Sequence, residues 1–315
     1  LTIRAAKEER KRSGIMITIE RVSRAFGETQ AVDDLSLSAR GGEIFGLIGP
    51  NGAGKTTTIR IIMNILAPDR GEVLFNGRPL RAEDTDRIGY LPEERGLYRK
   101  VRVAEMLRHL GELKSSPHQE CEAAIDRWLE HFDLQKWKQS KINELSKGMA
   151  QKIQFIGALI HDPEVIILDE PFSGLDPVSV NTLRSAIVEL RNRGKTIFFS
   201  THVMEQAEQL CDRLALIDRG RTVLSGTLGE LRSAYGSRTV SAEFESAVDP
   251  SFTPAGTAIL NRYPRLLELR LEEEADPQQV LRELSRVGAL RRFEVAKPSL
   301  HSIFVEQVQR EKNYA

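Results

Sequence analysis

Apolar and polar positions alternate along residues 15–22 and again along 33–39, a period of two that predicts strands with one face buried and one in solvent. Residues 43–49 form an almost unbroken apolar run that ends in glycine-rich sequence. Residues 55–66 then take helical spacing until Ala67, Pro68 and Asp69 stop them, so a buried strand, a tight loop and a helix are expected in succession. Further strands are predicted at 72–75 and 87–91. Across 103–137, Arg, Glu and Lys interleave with Leu, Ile and Trp, which predicts a helical insert. A helix at 147–160, a buried strand at 165–168, a helix at 180–192 and an apolar strand at 195–200 continue the alternation. Such alternation implies an α/β fold, a mainly parallel, doubly wound sheet, with the first strands as an antiparallel β flank.

Strands are expected at 213–218 and 222–225, after which the pattern changes near Tyr235. Beyond it, strands at 240–245, 266–271 and 293–296, a helix at 277–287 and a closing helix after Pro298 predict a small α+β domain. The expected division is a first domain over 16–235, with its helical insert at about 100–160, and an accessory domain over 236–315. Residues 1–15 read as a disordered extension, basic with Glu8 and Glu9 embedded and without the apolar run of a secretion signal, so the natural start is expected near Met16. No internal repeat or low-complexity tract is visible, which argues against a solenoid.

A length of 315 residues suits one large domain and one small one, and 40% hydrophobic against 29% charged residues is ordinary globular composition. Lys plus Arg and Asp plus Glu stand at 45 each, so no overall field favours nucleic acid or an anionic bilayer, and binding must come from a local site. No apolar stretch approaches the roughly 20 residues a membrane-spanning helix needs. Cys121 and Cys211 lack metal-ligand spacing and lie in stretches that read as helix, so they are expected to be buried thiols in a reducing compartment.

Chemistry concentrates in two places. Gly49, Pro50, Asn51, Gly52, Ala53, Gly54, Lys55 and Thr56 fit G-x-x-x-x-G-K-[ST] directly between a buried strand and a helix. Glycines let the backbone bend so that successive N–H groups point at phosphate oxygens, and the helix end adds a favourable dipole. Lys55 is then expected to reach the β and γ phosphates, Thr56 to ligate Mg²⁺, and Thr57 to add a hydroxyl near the α phosphate. The second place is the apolar strand that ends in Asp169 and Glu170. Two acids at a strand end are, taken alone, a solvated turn. With a phosphate loop upstream in the same sheet, Asp169 is placed to hold Mg²⁺ and Glu170 to orient and deprotonate an attacking water.

Leu145, Ser146, Lys147, Gly148 and Met149, just before that strand, resemble the signature sequence of the ATP-binding-cassette (ABC) ATPases. Ser173, Gly174, Leu175 and Asp176 resemble the family's D-loop, and Ser200, Thr201 and His202 its switch-histidine motif. Phe26 stands in the place of the aromatic that stacks on adenine, and the resemblance spans residues 16–227. It implies a P-loop NTPase fold that binds and hydrolyses Mg-ATP in the cytoplasm, peripheral on the inner face of the plasma membrane through a separate permease. It also implies pairing with a second copy or a related ATPase, so that Ser146 and Gly148 complete the partner's ATP site while His202 senses the γ phosphate.

Two departures from the family pattern stand out. Glu93 follows Pro92 where glutamine is usual, and could still ligate the metal; Lys147 and Met149 replace the commoner glycine and glutamine of the signature. Together with residues 93–98 and 300–304, these resemble the ATPase subunits of ABC-2 type exporters, the sodium-efflux and drug-resistance group. In that group the surface around Glu93 and the insert receives a cytoplasmic helix of the permease. The competing reading is a soluble ABC ATPase acting on nucleic acid or ribosomes. Its usual forms carry two cassettes or long coiled coils, and neither is present. A non-hydrolysing nucleotide-binding regulator is the third reading. The transported substrate is not written in this chain, because selectivity belongs to the permease.

Overall fold

A computed structural model describes residues 14–94, 96–234, 239–247, 249, 252–272, 275–296 and 299–314. Of the extension expected over 1–15, residues 1–13 lie outside the described residues, as does the joint at Tyr235, while Ile15 already opens a strand. The chain divides into two compact units, Leu1–Gly226 and Thr227–Ala315.

The first unit opens with β1 (Ile15–Phe26) and β2 (Thr29–Arg40), an antiparallel pair whose register shifts at several bulges. β3 (Ile44–Ile48) leads into α1 (Lys55–Ile62), and β4 (Arg70–Phe75) and β5 (Arg78–Pro79) complete a four-stranded flank in the order β2-β1-β4-β5. β6 (Ile88–Leu91) is followed by the insert, which is two helices rather than one run: α2 (Val103–Glu112) and α3 (His118–His131). Pro117 immediately precedes α3 and forces the break. The chain continues through α4 (Lys147–Leu159), β7 (Val165–Asp169), α5 (Pro177–Asn192), β8 (Thr196–Thr201), α6 (Met204–Leu210), β9 (Arg213–Asp218) and β10 (Arg221–Thr227).

The central sheet runs β10-β9-β3-β8-β7-β6, with β9, β3, β8, β7 and β6 mutually parallel. Its central strands β3, β8 and β7 are buried on both faces, which is why they read as near-continuous apolar runs. Phe45, Leu47, Val165, Ile167 and Phe198 pack toward the antiparallel flank with Ile17, Ile59, Ile62 and Phe75. Ile44, Ile166, Leu168, Ile197 and Phe199 face the opposite core, with the insert's Leu107, Ile125 and Trp128 and with Ile153 and Phe155 of α4. One sheet thus joins two cores. Its parallel strands end together, as α/β sheets that carry ligands at the carboxyl edge do.

Cys121 is buried on α3, but Cys211 does not lie in a helix; it follows α6 in extended backbone. Among the described residues, no helix is long and apolar enough to cross a membrane.

In the second unit, α7 (Leu228–Ala234), β11 (Thr239–Phe244), β12 (Thr257–Tyr263), β13 (Leu266–Leu271), α8 (Pro277–Val287), β14 (Leu290–Ala296) and α9 (Leu300–Tyr314) follow in order. The sheet runs β12-β13-β11-β14, antiparallel throughout. Val240, Ala242, Phe244, Leu267, Leu269 and Leu271 form one face, which packs on Val280 and Leu284 of α8. Asp276 caps α8 by accepting from Gln278 N, and Pro277 follows at the first helical position. β12 escapes a sequence reading because its burial does not alternate cleanly, as befits an edge strand.

Candidate functional site

The loop between β3 and α1 is shaped by what its glycines leave out. A Cβ on Gly49 would lie 2.2 Å from the Ile217 carbonyl oxygen, and one on Gly54, at φ +103°, would lie 2.3 Å from that of Ala31, so neither position admits a side chain. Pro50, Asn51 and Gly52 are exposed and Ala53 is buried. Gly54 caps α1 without a side-chain hydrogen bond. The first-turn N–H groups of Lys55, Thr56 and Thr57 therefore lack intrahelical acceptors, and the helix end favours an anion. Lys55 is buried, and its Nζ donates to the Gly49 and Pro50 carbonyls at 2.8 and 3.1 Å. An ammonium whose hydrogen bonds go only to loop carbonyls, with the Glu170 carboxylate 3.7 Å away, can turn to a phosphate oxygen.

β8 brings the remaining groups to the same edge because it pairs in parallel with both β3 and β7. Gly49 N–H donates to Thr201 O at 3.3 Å and Glu170 N–H to Ser200 O at 3.2 Å, tying three strand ends together. Asp169 is 0% exposed; its Oδ1 accepts from the Ser200 hydroxyl, and its Oδ2 has no hydrogen-bond partner among the described residues. Burial pushes the Asp169 carboxyl above its usual pKa, the Ser200 and Thr56 hydroxyls pull it back, Glu170 raises it further and Lys55 lowers it.

Glu170 takes the left-handed conformation, φ +48°, and is buried. Its Oε1 lies 3.7 Å from Lys55 Nζ and 2.9 Å from His202 Nδ1, and its Oε2 accepts from the Thr201 hydroxyl at 3.3 Å. A carboxylate gripped by an ammonium, an imidazole and a hydroxyl is fixed in direction and can accept a proton from water. Thr201 also reaches Gln206 Oε1 at 3.0 Å. Ser200, Thr201 and Gln206 had no role in the sequence reading, although the first two sit in the same Ser-Thr-His run as His202.

Among the described residues no cluster of three or more His, Cys, Asp or Glu side chains suits a metal ion. The donor set beside the phosphate loop is instead a carboxylate oxygen and a hydroxyl, hard ligands of the kind Mg²⁺ takes when phosphates and water supply the rest. The orphaned Asp169 Oδ2 is a buried acceptor that such a cation completes.

The other expected residues lie apart from this convergence. Glu93 is exposed just beyond β6, with no hydrogen bond or ion pair among the described residues. Ser146 is exposed and caps α4 by accepting from Met149 N at 3.2 Å; Gly148 is half-buried in its first turn. No hydrogen bond or ion pair joins Ser146 or Gly148 to residues 49–57 among the described residues. Phe26 ends β1 and is 49% exposed.

Residues 32–173 match the family described as ABC transporter, and residues 226–308 match the C-terminal domain of DrrA1-3-like ATP-binding proteins. The chain is 42% identical over 295 residues to the ABC transporter ATP-binding protein YhaQ of Bacillus subtilis, covering 93% of this chain and 98% of that one. It is 36% identical over 255 residues to the Nod factor export ATP-binding protein I of Paraburkholderia xenovorans, covering 80% and 81% of the two chains. A solved structure of the ATP-binding subunit of an ABC transporter superposes with a TM-score of 0.66 at 32% identity, covering 70% of this chain and 93% of that one. The fold is accordingly that of a P-loop ABC ATPase with a helical insert, followed by a separate C-terminal domain. The chain belongs to the ABC transporter ATP-binding proteins, and it binds and hydrolyses ATP as the ATPase subunit of such a transporter.

Proposed function

We propose that this chain drives an ABC-2 type exporter by closing and opening as a nucleotide-sandwich dimer beneath a separate permease. The observation that carries the catalytic half is the meeting of Lys55 and His202 on one oxygen of Glu170, at 3.7 and 2.9 Å. Residues 49–57 cradle the phosphates, Lys55 neutralises the β and γ oxygens, and Glu170 directs a water in line with the leaving ADP, with His202 holding its carboxylate. Thr56 and Asp169 would hold Mg²⁺, with Glu93 as a further oxygen ligand; the ion adds positive charge against the phosphates when bound. Phe26 stacks on adenine.

Ser146 and Gly148 serve the ATP bound by a second copy, or by a related ATPase subunit. Their place at the start of α4, exposed and half-buried, supports donation across an interface. Release of phosphate then removes what joins the protomers, and the reopening is the stroke passed to the permease. Beside β6, a groove of about 280 Å³ lined by Tyr90, Leu97, Leu110, Leu113 and His161 supports docking of a permease helix on the insert. The relative named for Nod factor export and the DrrA1-3-like C-terminal match support export. The working place is the cytoplasm, peripheral on the inner face of the plasma membrane, and nucleic acid is not a partner.

Titration calorimetry with Mg-ATP, followed by sedimentation of the Glu170→Gln variant with and without ATP, tests this reading. Nucleotide uptake and an ATP-dependent shift from monomer to dimer are expected. Uptake without any change in mass would remove the sandwich and the roles of Ser146 and Gly148.

A further inference from the structure

Asp69 closes the loop after α1, where it gathers three hydrogen bonds from the end of β1. Its backbone N–H donates to Ser23 O at 2.8 Å, its Oδ2 accepts from Ala25 N at 2.8 Å, and its Oδ1 accepts from Arg24 Nη1 at 2.5 Å. The Ala25 N–H, then the Arg24 charge and hydrogen bond, hold the Asp69 carboxyl below its usual pKa, so the anion persists. The guanidinium fixed in this way lies over the Phe26 ring, 5.1 Å from its centroid. Arg24 Nε is buried with no hydrogen-bond acceptor among the described residues, so the guanidinium is shared between the Asp69 carboxylate at Nη1 and the negative face of the ring. Phe26 as a residue is 49% exposed at the mouth of the β1–β2 turn.

An exposed aromatic at a strand end samples several rotamers, and a base that stacks on it must first still that motion. Phe26 is already held from one side, by a cation that is itself held by a carboxylate on another segment. We propose that Arg24, clamped by Asp69, is a positioning residue for nucleobase recognition: it pins the Phe26 ring and leaves the opposite face as the platform for an aromatic base. This rests on the assignment of Phe26 as the base platform. The clamp acts on the base and not on the phosphates, so it separates ATP from a ligand carrying the phosphates alone.

The test is calorimetry on the full chain with two probes, Mg-ATP and magnesium tripolyphosphate, for the parent, Phe26→Ala, Arg24→Ala and Asp69→Asn. Phe26→Ala is expected to weaken ATP about five- to a hundredfold, the usual worth of one base stacked on an aromatic, and to leave tripolyphosphate unchanged. Arg24→Ala and Asp69→Asn are expected to weaken ATP about two- to fivefold, again with tripolyphosphate unchanged. If Arg24→Ala leaves ATP affinity as it was, or raises it because the guanidinium had occupied the base's own face, the proposal fails while the platform stands. Equal weakening of both probes by Arg24→Ala makes the residue merely structural and also overturns it. If Phe26→Ala leaves the ratio of the two affinities untouched, the platform assignment itself falls and takes the clamp with it.

Discussion

His202 Nδ1 lies 2.9 Å from Oε1 of Glu170, the oxygen that also stands 3.7 Å from Lys55 Nζ. Three elements supply these groups: the strand end after β7, the strand end after β8 and the start of α1. Glu170 reaches them from a left-handed backbone at φ +48°, a conformation worth about 1–3 kcal/mol of strain in a non-glycine residue. Its N–H donates to Ser200 O at 3.2 Å, and Ser200 Oγ lies equally close, so the neighbouring strand end holds the turn in place.

Glu170→Gln keeps the shape and removes the carboxylate proposed as the base. Hydrolysis is expected to fall about 10²- to 10⁴-fold, the range for a positioned general base, with ATP binding retained. Phosphate release and calorimetry on the same preparation check it. A variant that turned over at the parental rate would move the base elsewhere.

His202→Ala takes one of the two nitrogen partners from Glu170 Oε1 and leaves Lys55 alone with it. The His202 side chain is 49% exposed, so the loss of folding stability is expected to stay within about 0.5 kcal/mol. Turnover is expected to drop steeply all the same. Urea unfolding beside steady-state kinetics separates the two, and a fall in stability matching the fall in rate would contradict the assignment.

Gly49→Ala and Gly52→Ala make a paired test of the loop. A Cβ at Gly49 meets the Ile217 carbonyl oxygen at 2.2 Å, whereas one at Gly52, φ +81°, meets nothing within 4 Å. The second change carries only the left-handed penalty of about 1–2 kcal/mol. Gly49→Ala adds a clash of about 1–3 kcal/mol or more to the fold. Denaturation midpoints should therefore fall further for Gly49→Ala.

Ser146→Ala removes the N-cap of α4, which accepts from Met149 N at 3.2 Å, at about 1 kcal/mol of stability. Loss of the ATP-dependent dimer is expected in addition. Sedimentation with Glu170→Gln in the same background reads it, and an intact dimer would confine Ser146 to capping.

His161 gives the fold a pH dependence. Burial above all, then the Lys114 charge, pushes its pKa down from 6.5 to about 4, and its Nε2 lies 3.3 Å from Ile88 O. Between these two values the unfolded chain binds a proton that the folded chain refuses, so stability falls as pH drops from about 6.5 toward 4. His161→Gln should be less stable at pH 7.5 yet show a flatter decline across that window. Thermal unfolding at half-unit steps measures it, and parallel curves for the two proteins would rule it out.

Local pattern carried far because the phosphate loop is a local object. Strand, glycine bend and helix follow one another without interruption from Ile44 to Ile62, and each is set by its own residues. Continuous apolar runs such as residues 165–168 likewise announce burial on both faces. The insert is legible as helical because both of its helices carry a buried apolar face, and Pro117 sets the break between them, whereas the edge strand Thr257–Tyr263 is not legible, since it has no fully buried position. Cys211 was misplaced for a similar reason: α6 is only seven residues long, too short to impose a period on the sequence around it.

The order of apolar and polar residues by itself determined the doubly wound class, and the residue types at 49–56 and at Asp169 and Glu170, at their strand ends, marked the phosphate loop and its candidate acidic partners. Only the folded chain decided that His202, Thr201 and Ser200 close around those acids, and that Arg24 and Asp69 meet beside Phe26. The reason is that parallel pairing of β8 with both β3 and β7 brings strand ends together that are far apart along the chain, and nothing in the local pattern of any one strand says which others it will lie between.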